Sequence, residues 1–212
     1  QRPTVNEREK LVPPANHGVK LMSMGFLATA DTPIVWRGPM VHGLIQQFLG
    51  SVLWENLDYL IIDCPPGTGD AILTLTQSAP LAGALIVTTP QEMSLIDARR
   101  GLKMFQNVKV PVLGLVENMS HYLCRHCGQK EYIFGQGGGK RLAEESQVPF
   151  LGEIPLDPEV VVGSDKGVPI LIKNPGSPAS AAYRALAGEV ARQLSINVHG
   201  SAGGEGLSLQ WK

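Results

Sequence analysis

Cys124 and Cys127 stand two residues apart in the run Cys124-Arg125-His126-Cys127. Two thiolates at this spacing can hold one soft metal ion or two irons of a cluster. A complete site takes four ligands, and Cys64 is the only other cysteine in the chain. Cys64 follows an apolar run and reads as a packing residue, because a free cysteine often behaves as a small hydrophobe. The remaining ligands must then come from histidines or from a second copy of the chain, whose symmetric dimer would bring two such pairs together across its axis. The other chemistry open to the pair is thiol–disulfide exchange. That use places the two cysteines at the start of a helix after a strand, whereas here Tyr122, Gly128 and Gln129 mark a loop. His121 and His126 could assist as ligands, but single loop histidines are more often surface residues.

The second stretch able to do chemistry is Leu57 to Asp70, in which Tyr59-Leu60-Ile61-Ile62 leads into Asp63-Cys64-Pro65-Pro66-Gly67-Thr68-Gly69-Asp70. An apolar run that ends in a carboxylate and two prolines reads as a buried strand delivering Asp63 to a sheet edge. In open α/β sheets ligands bind outside the carboxyl ends of the strands. The plain alternative for Asp63 is a helix cap. A glycine-rich run, Gly135 to Lys140, invites a phosphate-loop reading, but Phe134 and Arg141 stand where that motif needs Gly and Ser or Thr. It reads instead as the glycine-rich start of a helix.

These residues need a scaffold of strands and helices. Gly18 to Leu27 reads as a glycine-flanked strand, and Asp31 to Pro39 as a polar turn with Pro39 starting a helix. Val41, Leu44, Ile45, Phe48, Leu49 and Val52 repeat with a helical period across Met40 to Trp54. After Asp63 come a short helix over Asp70 to Ala79 and a continuous apolar run, Ala82 to Thr88, expected of a parallel strand covered on both faces. A helix follows over Ser94 to Gln106, with Leu95, Ala98, Leu102 and Phe105 on one side. A strand over Val110 to Val116 then delivers Glu117-Asn118-Met119-Ser120 to its carboxyl end. Lys140 to Ser146 reads as a helix, Phe150 to Ile154 as a strand closed by Pro155, and Ala179 to Leu194 as an amphipathic helix. Strands alternating with helices predict an α/β fold, a doubly wound and mostly parallel sheet. There is no internal repeat.

Composition narrows the function. With 43% hydrophobic and 17% charged residues among 212, the chain can bury a core. Its net charge of −1 and the lack of a Lys/Arg block disfavour nucleic acid or an anionic membrane as the main partner. No apolar run nears the roughly 20 residues of a membrane span. Three cysteines do not make a disulfide framework. The expected setting is intracellular: the cytoplasm, or alternatively the mitochondrial matrix.

Several motifs occur in a recognisable order: Trp36-Arg37-Gly38-Pro39, Asp63 to Asp70, Thr89-Pro90-Gln91, Glu117-Asn118-Met119-Ser120, the Cys124/Cys127 pair, Ile133-Phe134-Gly135 and Leu151-Gly152-Glu153-Ile154-Pro155. Over about residues 18 to 195 the chain resembles the Mrp/NBP35 family of P-loop ATPases, the iron–sulfur cluster carriers, nearest to the ApbC/Mrp and Ind1-like branch. The resemblance implies a deviant P-loop NTPase fold, like MinD and the nitrogenase iron protein. It also implies a homodimer that holds a 4Fe–4S cluster between subunits and passes it to apo-proteins, coupled to ATP and Mg²⁺. By that match Cys124 and Cys127 are the metal ligands, and Asp63 is the Walker B carboxylate acting on Mg²⁺ through water. Gly67 presents its N–H toward the γ-phosphate, and Asn118 reads the nucleotide base. A turn-forming Asn after a strand is the plain alternative for Asn118.

The family begins with a strand and a lysine-rich P-loop, followed by an Asp-containing switch I segment, and the expectation is that these are missing from the amino end of this chain. Without the P-loop, stabilisation of phosphoryl transfer is largely lost. The fold expectation is therefore amino-terminally incomplete, through truncation or through loss of hydrolysis with the cluster site retained, and truncation is the favoured expectation. The domain expectation is a polar lead-in over 1–17, a P-loop-ATPase-like domain over 18–196 with a cluster loop at 121–130, and a flexible tail over 197–212. Two rival functions are a non-catalytic metal-binding or scaffold subunit and a MinD-like partitioning ATPase. The lack of a basic amphipathic tail argues against the second.

Overall fold

The computed structural model describes residues 2–26, 38–64 and 70–200. Gly67, the Trp36-Arg37 pair and the tail beyond Gly200 lie outside them. The described residues form two compact units that divide after Pro80.

In the first unit, β1 (Thr4–Val5) and β2 (Leu11–Val12) pair antiparallel, and β3 (Ala15–Asn16) pairs with β4 (Val19–Lys20). Asn6 Oδ1 accepts the N–H groups of Arg8 and Lys10, which closes the first hairpin. His17 (φ 50°) and Gly18 (φ 79°) are both left-handed, the geometry that reverses a chain in two residues. Gly18 therefore ends a turn, and the strand expected over Gly18 to Leu27 reduces to the two residues of β4 before a 3₁₀ turn at Met24–Phe26. Helix α1 (Gly38–Gly50) half-buries Val41, Leu44, Ile45, Phe48 and Leu49, the positions its periodicity marks. It packs against α2 (Asp70–Ser78), where Ile72, Thr74 and Leu75 are buried and Thr74 Oγ1 lies 3.2 Å from His42 Nδ1.

The run Tyr59 to Ile62 departs most from expectation. It has no strand partner among the described residues, and its side chains are exposed, Ile61 at 90%. An apolar run becomes a buried strand only where neighbours take its N–H and C=O groups, and no described segment does so.

The second unit holds the sheet. Strand β5 (Ala84–Thr88) leads through α3 (Glu92–Asn107) to β6 (Val112–Leu123), then β7 (Lys130–Glu131), α4 (Gly138–Glu145) and β8 (Phe150–Leu156). The chain finishes in α5 (Pro158–Asp165), α6 (Ile170–Lys173) and α7 (Pro178–Gly200). β5, β6 and β8 are parallel with β6 central, and β7 pairs antiparallel with the end of β6. At Tyr122 one edge of β6 is taken by Leu156 of β8, so Glu131 of β7 occupies the other. The sheet is covered on both faces, as a doubly wound fold requires. On one face Ile86, Leu95, Ala98, Leu102, Leu115, Leu142 and Ala143 join α3 and α4 to the strands. On the other, Val116, Leu151 and Ile154 pack against Ala182, Tyr183, Leu186 and Val190 of α7. Leu115 and Val116 are adjacent, point to opposite faces and are both fully buried.

Three boundaries differ from expectation. β5 alternates, with Ala84, Ile86 and Thr88 buried but Leu85 and Val87 exposed, so among the described residues this strand is covered on one face while its neighbours are covered on two. β6 continues seven residues beyond Val116, because β8 and then β7 supply hydrogen-bond partners. Helix α7 reaches Gly200, so residues 197–200 are helical rather than part of a tail.

Candidate metal centre

The cysteine pair sits on a tight connection between β6 and β7. Cys124 donates its N–H to Gln129 O at 2.9 Å, and Gly128 donates its own to Cys124 O at 2.8 Å. Gly128 adopts φ 72°, which a side chain would strain. The turn aims the backbone N–H groups of Cys127 and His126 at the Cys124 sulfur. These donors, Cys127 first, with a further hydrogen bond from the Cys127 side chain, draw the Cys124 thiol below its usual pKa. Cys124 is half-buried and Cys127 exposed, so both sulfurs are reachable. A thiolate held by backbone N–H donors is the form that binds iron, so this donor set fits an iron–sulfur cargo. No group of three or more Cys, His, Asp or Glu ligands gathers among the described residues. Two thiolates are half of a four-thiolate set.

Cys64 is different. Burial, then the neighbouring Asp63 charge, push its thiol up, which suits a packing residue. Asp63 is exposed, at the end of the unpaired run. Asn118 lies half-buried at an irregularity in the β6–β8 register, next to Met119 at φ 54°. Its Oδ1 accepts the Met119 N–H at 3.0 Å, the turn-forming role open to it, while its amide donor has no partner among the described residues. The structure thus brings Cys124 and Cys127 together on one turn, with Asn118 on the strand leading to it. Asp63 belongs to the other unit.

Two residues near the pair carry more than their sequence suggests. His121 is not a surface loop residue: it lies on β6 and is 6% exposed. Its Nδ1 is 2.8 Å from Ser120 Oγ and 3.5 Å from Glu153 Oε2. Burial first, then the Lys130 charge, lower its pKa against the opposing pull of Glu153. Both lowering effects favour the neutral imidazole beside Glu153. Glu117 is 1% exposed and accepts the Gly139 N–H at the start of α4. Burial pushes its carboxyl up in spite of that bond. Glu117, Asn118, Ser120 and His121 make this stretch read as polar along the chain, so the burial of Glu117 and His121 has no clear sequence signal and follows from the pairing of β6 with β8.

A sequence profile described as ParA, the NUBPL iron-transfer P-loop NTPases, matches residues 1–191. An iron–sulfur cluster carrier protein from Synechocystis is 54% identical over 189 residues, covering 89% of this chain and 54% of that protein. An iron–sulfur protein of Arabidopsis thaliana described as required for NADH dehydrogenase, mitochondrial, is 48% identical over 92% of this chain and 62% of its own length. The chain thus spans between about half and two thirds of these relatives. Among solved structures, a nucleotide-binding protein from Archaeoglobus fulgidus in complex with ADP superposes with a TM-score of 0.66. It is 40% identical, over 78% of this chain and 64% of that one. MinD from Pyrococcus horikoshii, 24% identical over 76% of this chain and 59% of its own, shares the fold with a TM-score of 0.55. With an α/β sheet of this topology and a profile match along most of its length, the chain belongs to the NUBPL-type iron-transfer family of P-loop NTPases.

Proposed function

We propose that this protein is an iron–sulfur cluster carrier that holds a 4Fe–4S cluster between two copies of the chain, on Cys124 and Cys127 of each, and passes it to apo-proteins. The observation that carries this reading is the turn whose N–H groups favour the Cys124 thiolate, in a chain of an iron-transfer family. Placement at a loop, with Cys127 exposed, suits a cargo that must leave. Binding needs only thiolate ligands and no redox step by the protein. On this reading Asp63 acts on Mg²⁺ through water, Gly67 faces the γ-phosphate and Asn118 offers its amide donor to the base of ATP. The proposed setting is the cytoplasm, with the mitochondrial matrix as the alternative that the mitochondrial relative supports. Among the described residues no helix is long and apolar enough to cross a membrane.

Anaerobic reconstitution with iron and sulfide tests the proposal. The expected product is a brown dimer by absorbance and sedimentation, and Cys124→Ala should lose the colour; equal cluster content in that variant overturns the site assignment. A second reading, a metal-binding subunit that does not hydrolyse ATP, draws on one observation: Asp63 follows an exposed run that has no strand partner among the described residues. Calorimetry with Mg-ATP separates the two, since no heat of binding with full cluster loading favours the second.

A further inference from the structure

Beside the cysteine turn lies a cleft of about 490 Å³ that belongs wholly to the second unit. Cys124 forms part of its wall, with Arg125 beside it, and the ends of β6 and β8 with the starts of α5 and α7 supply the rest. The lining is mixed: Leu156 and several prolines give apolar surface, and Asp157 and Glu159 bring two carboxylates. Asp157 Oδ1 accepts the Glu159 N–H as the cap of α5, and Glu159 Oε2 is 3.4 Å from Asn174 Nδ2. Neither carboxylate has an ion-pair partner among the described residues, so the cleft carries two unpaired carboxylates and one cation, Arg125. Its volume falls within the roughly 300–1,000 Å³ range of ligand sites, room for a few side chains of an extended peptide.

We propose that this cleft docks the recipient: an extended basic segment of an apo-protein carrying a cysteine, laid so that its thiol reaches the iron held by Cys124. The inference rests on the carrier reading above and names the partner's chemistry at the same site. A basic residue of the segment pairs with Asp157 or Glu159, while its apolar neighbours cover Leu156. Transfer then begins as ligand exchange. The incoming sulfur forms a bond to iron, the iron–Cys124 bond breaks, and the proton leaving the incoming thiol is taken up by the departing Cys124 sulfur. No electron changes hands, so no further reactant is required.

The test uses the full chain and two variants outside the ligand pair. Glu159→Lys reverses the wall charge, and Gly176→Phe fills the cleft. A Cβ at Gly176 meets nothing within 4 Å, and the residue is not left-handed, so the ring adds no backbone strain. The probe is a fluorescein-labelled peptide, Gly-Lys-Cys-Gly-Lys-Leu, with controls that replace both lysines by glutamate or the cysteine by serine. Fluorescence anisotropy on the cluster-free chain should show the lysine peptide binding, and each variant should weaken it at least about tenfold, or 1.4 kcal/mol. The glutamate peptide should not bind, and the serine peptide should bind but accept no iron. Cluster loading of both variants should equal the parent's, while transfer to the peptide slows in parallel with binding.

Equal affinity across parent and variants, or equal binding of the glutamate peptide, overturns the proposal. So does loss of dimer in the Gly176→Phe variant by sedimentation, since the cleft is then a face between copies. The two readings fail separately. A parent that loads and transfers cluster while the variants make no difference removes the docking cleft alone. A parent that binds the peptide with the expected variant pattern yet loads no cluster removes the carrier reading alone.

Discussion

The Oε2 of Glu117 accepts the backbone N–H of Gly139, fastening the start of α4 to the middle of the central strand. The acid takes the place of an N-cap, because Gly137 before the helix has no side chain to cap it. A carboxyl raised by burial holds its proton longer in the folded state than the unfolded value of about 4.3 allows. Its contribution is present below that value and lost as pH rises through the folded pKa. Replacing Glu117 with Gln should remove this part of the fall in stability, seen as a flatter dependence of urea midpoints on pH. Glu117→Ala should cost about 1–3 kcal/mol at any pH, since a buried N–H loses its partner.

The helix start also explains its glycines. A Cβ on Gly138 would lie 2.7 Å from both Leu95 Cδ1 and the Pro90 carbonyl oxygen, and the oxygen is backbone that cannot turn away. Gly138→Ala should lower stability by about 1–3 kcal/mol through this crowding. Gly188→Ala, in open space on α7, should be neutral or slightly stabilising. Thermal melts of the two single variants check the contrast.

Thiol chemistry distinguishes the cysteines without any metal. The donors around Cys124 lower its pKa, whereas burial raises that of Cys64. At pH 7.5 iodoacetamide should modify Cys124 at least about tenfold faster than Cys64, because the thiolate is the nucleophile. Peptide mapping by mass spectrometry after timed quenching measures both rates. Faster modification of Cys64 would refute the picture of a donor-lined turn.

His121 should make the protein acid-sensitive. Its pKa is lowered by burial and by Lys130, so its stabilising contribution is present above the unfolded value of about 6.5 and lost as pH falls through the folded one. His121→Gln should shrink the loss of stability between pH 7 and pH 5. Denaturant midpoints at the two pH values give the comparison.

Much of the second unit was legible in the chain. Leu95, Ala98 and Leu102 mark the buried face of α3 by their spacing, and all three are core residues. The alternation of strands and helices predicts a parallel sheet covered on two faces, which α3, α4 and α7 provide. The Cys-x-x-Cys spacing marks the candidate centre, and the glycines after Phe134 mark a helix start. The first unit was less legible. Gly18 reads as the opening of a strand, whereas the left-handed φ of His17 and Gly18 makes it the close of a turn. Tyr59 to Ile62 has the apolar character of a buried strand, but character does not supply a neighbour.

That difference separates what the residues determine from what folding decides. Helical periodicity, turn glycines, the thiol pair and the absence of strong net charge are local or additive properties, so they can be read along the chain. Which edge of β6 receives β7, whether β5 is covered on one face or two, and that Glu117 reaches Gly139 depend on segments distant in sequence. Pairing and burial belong to two surfaces at once, and only the tertiary structure names the second. It decided that Cys124 sits on a turn lined with N–H donors and beside an acidic cleft, where spacing alone had offered two sulfurs.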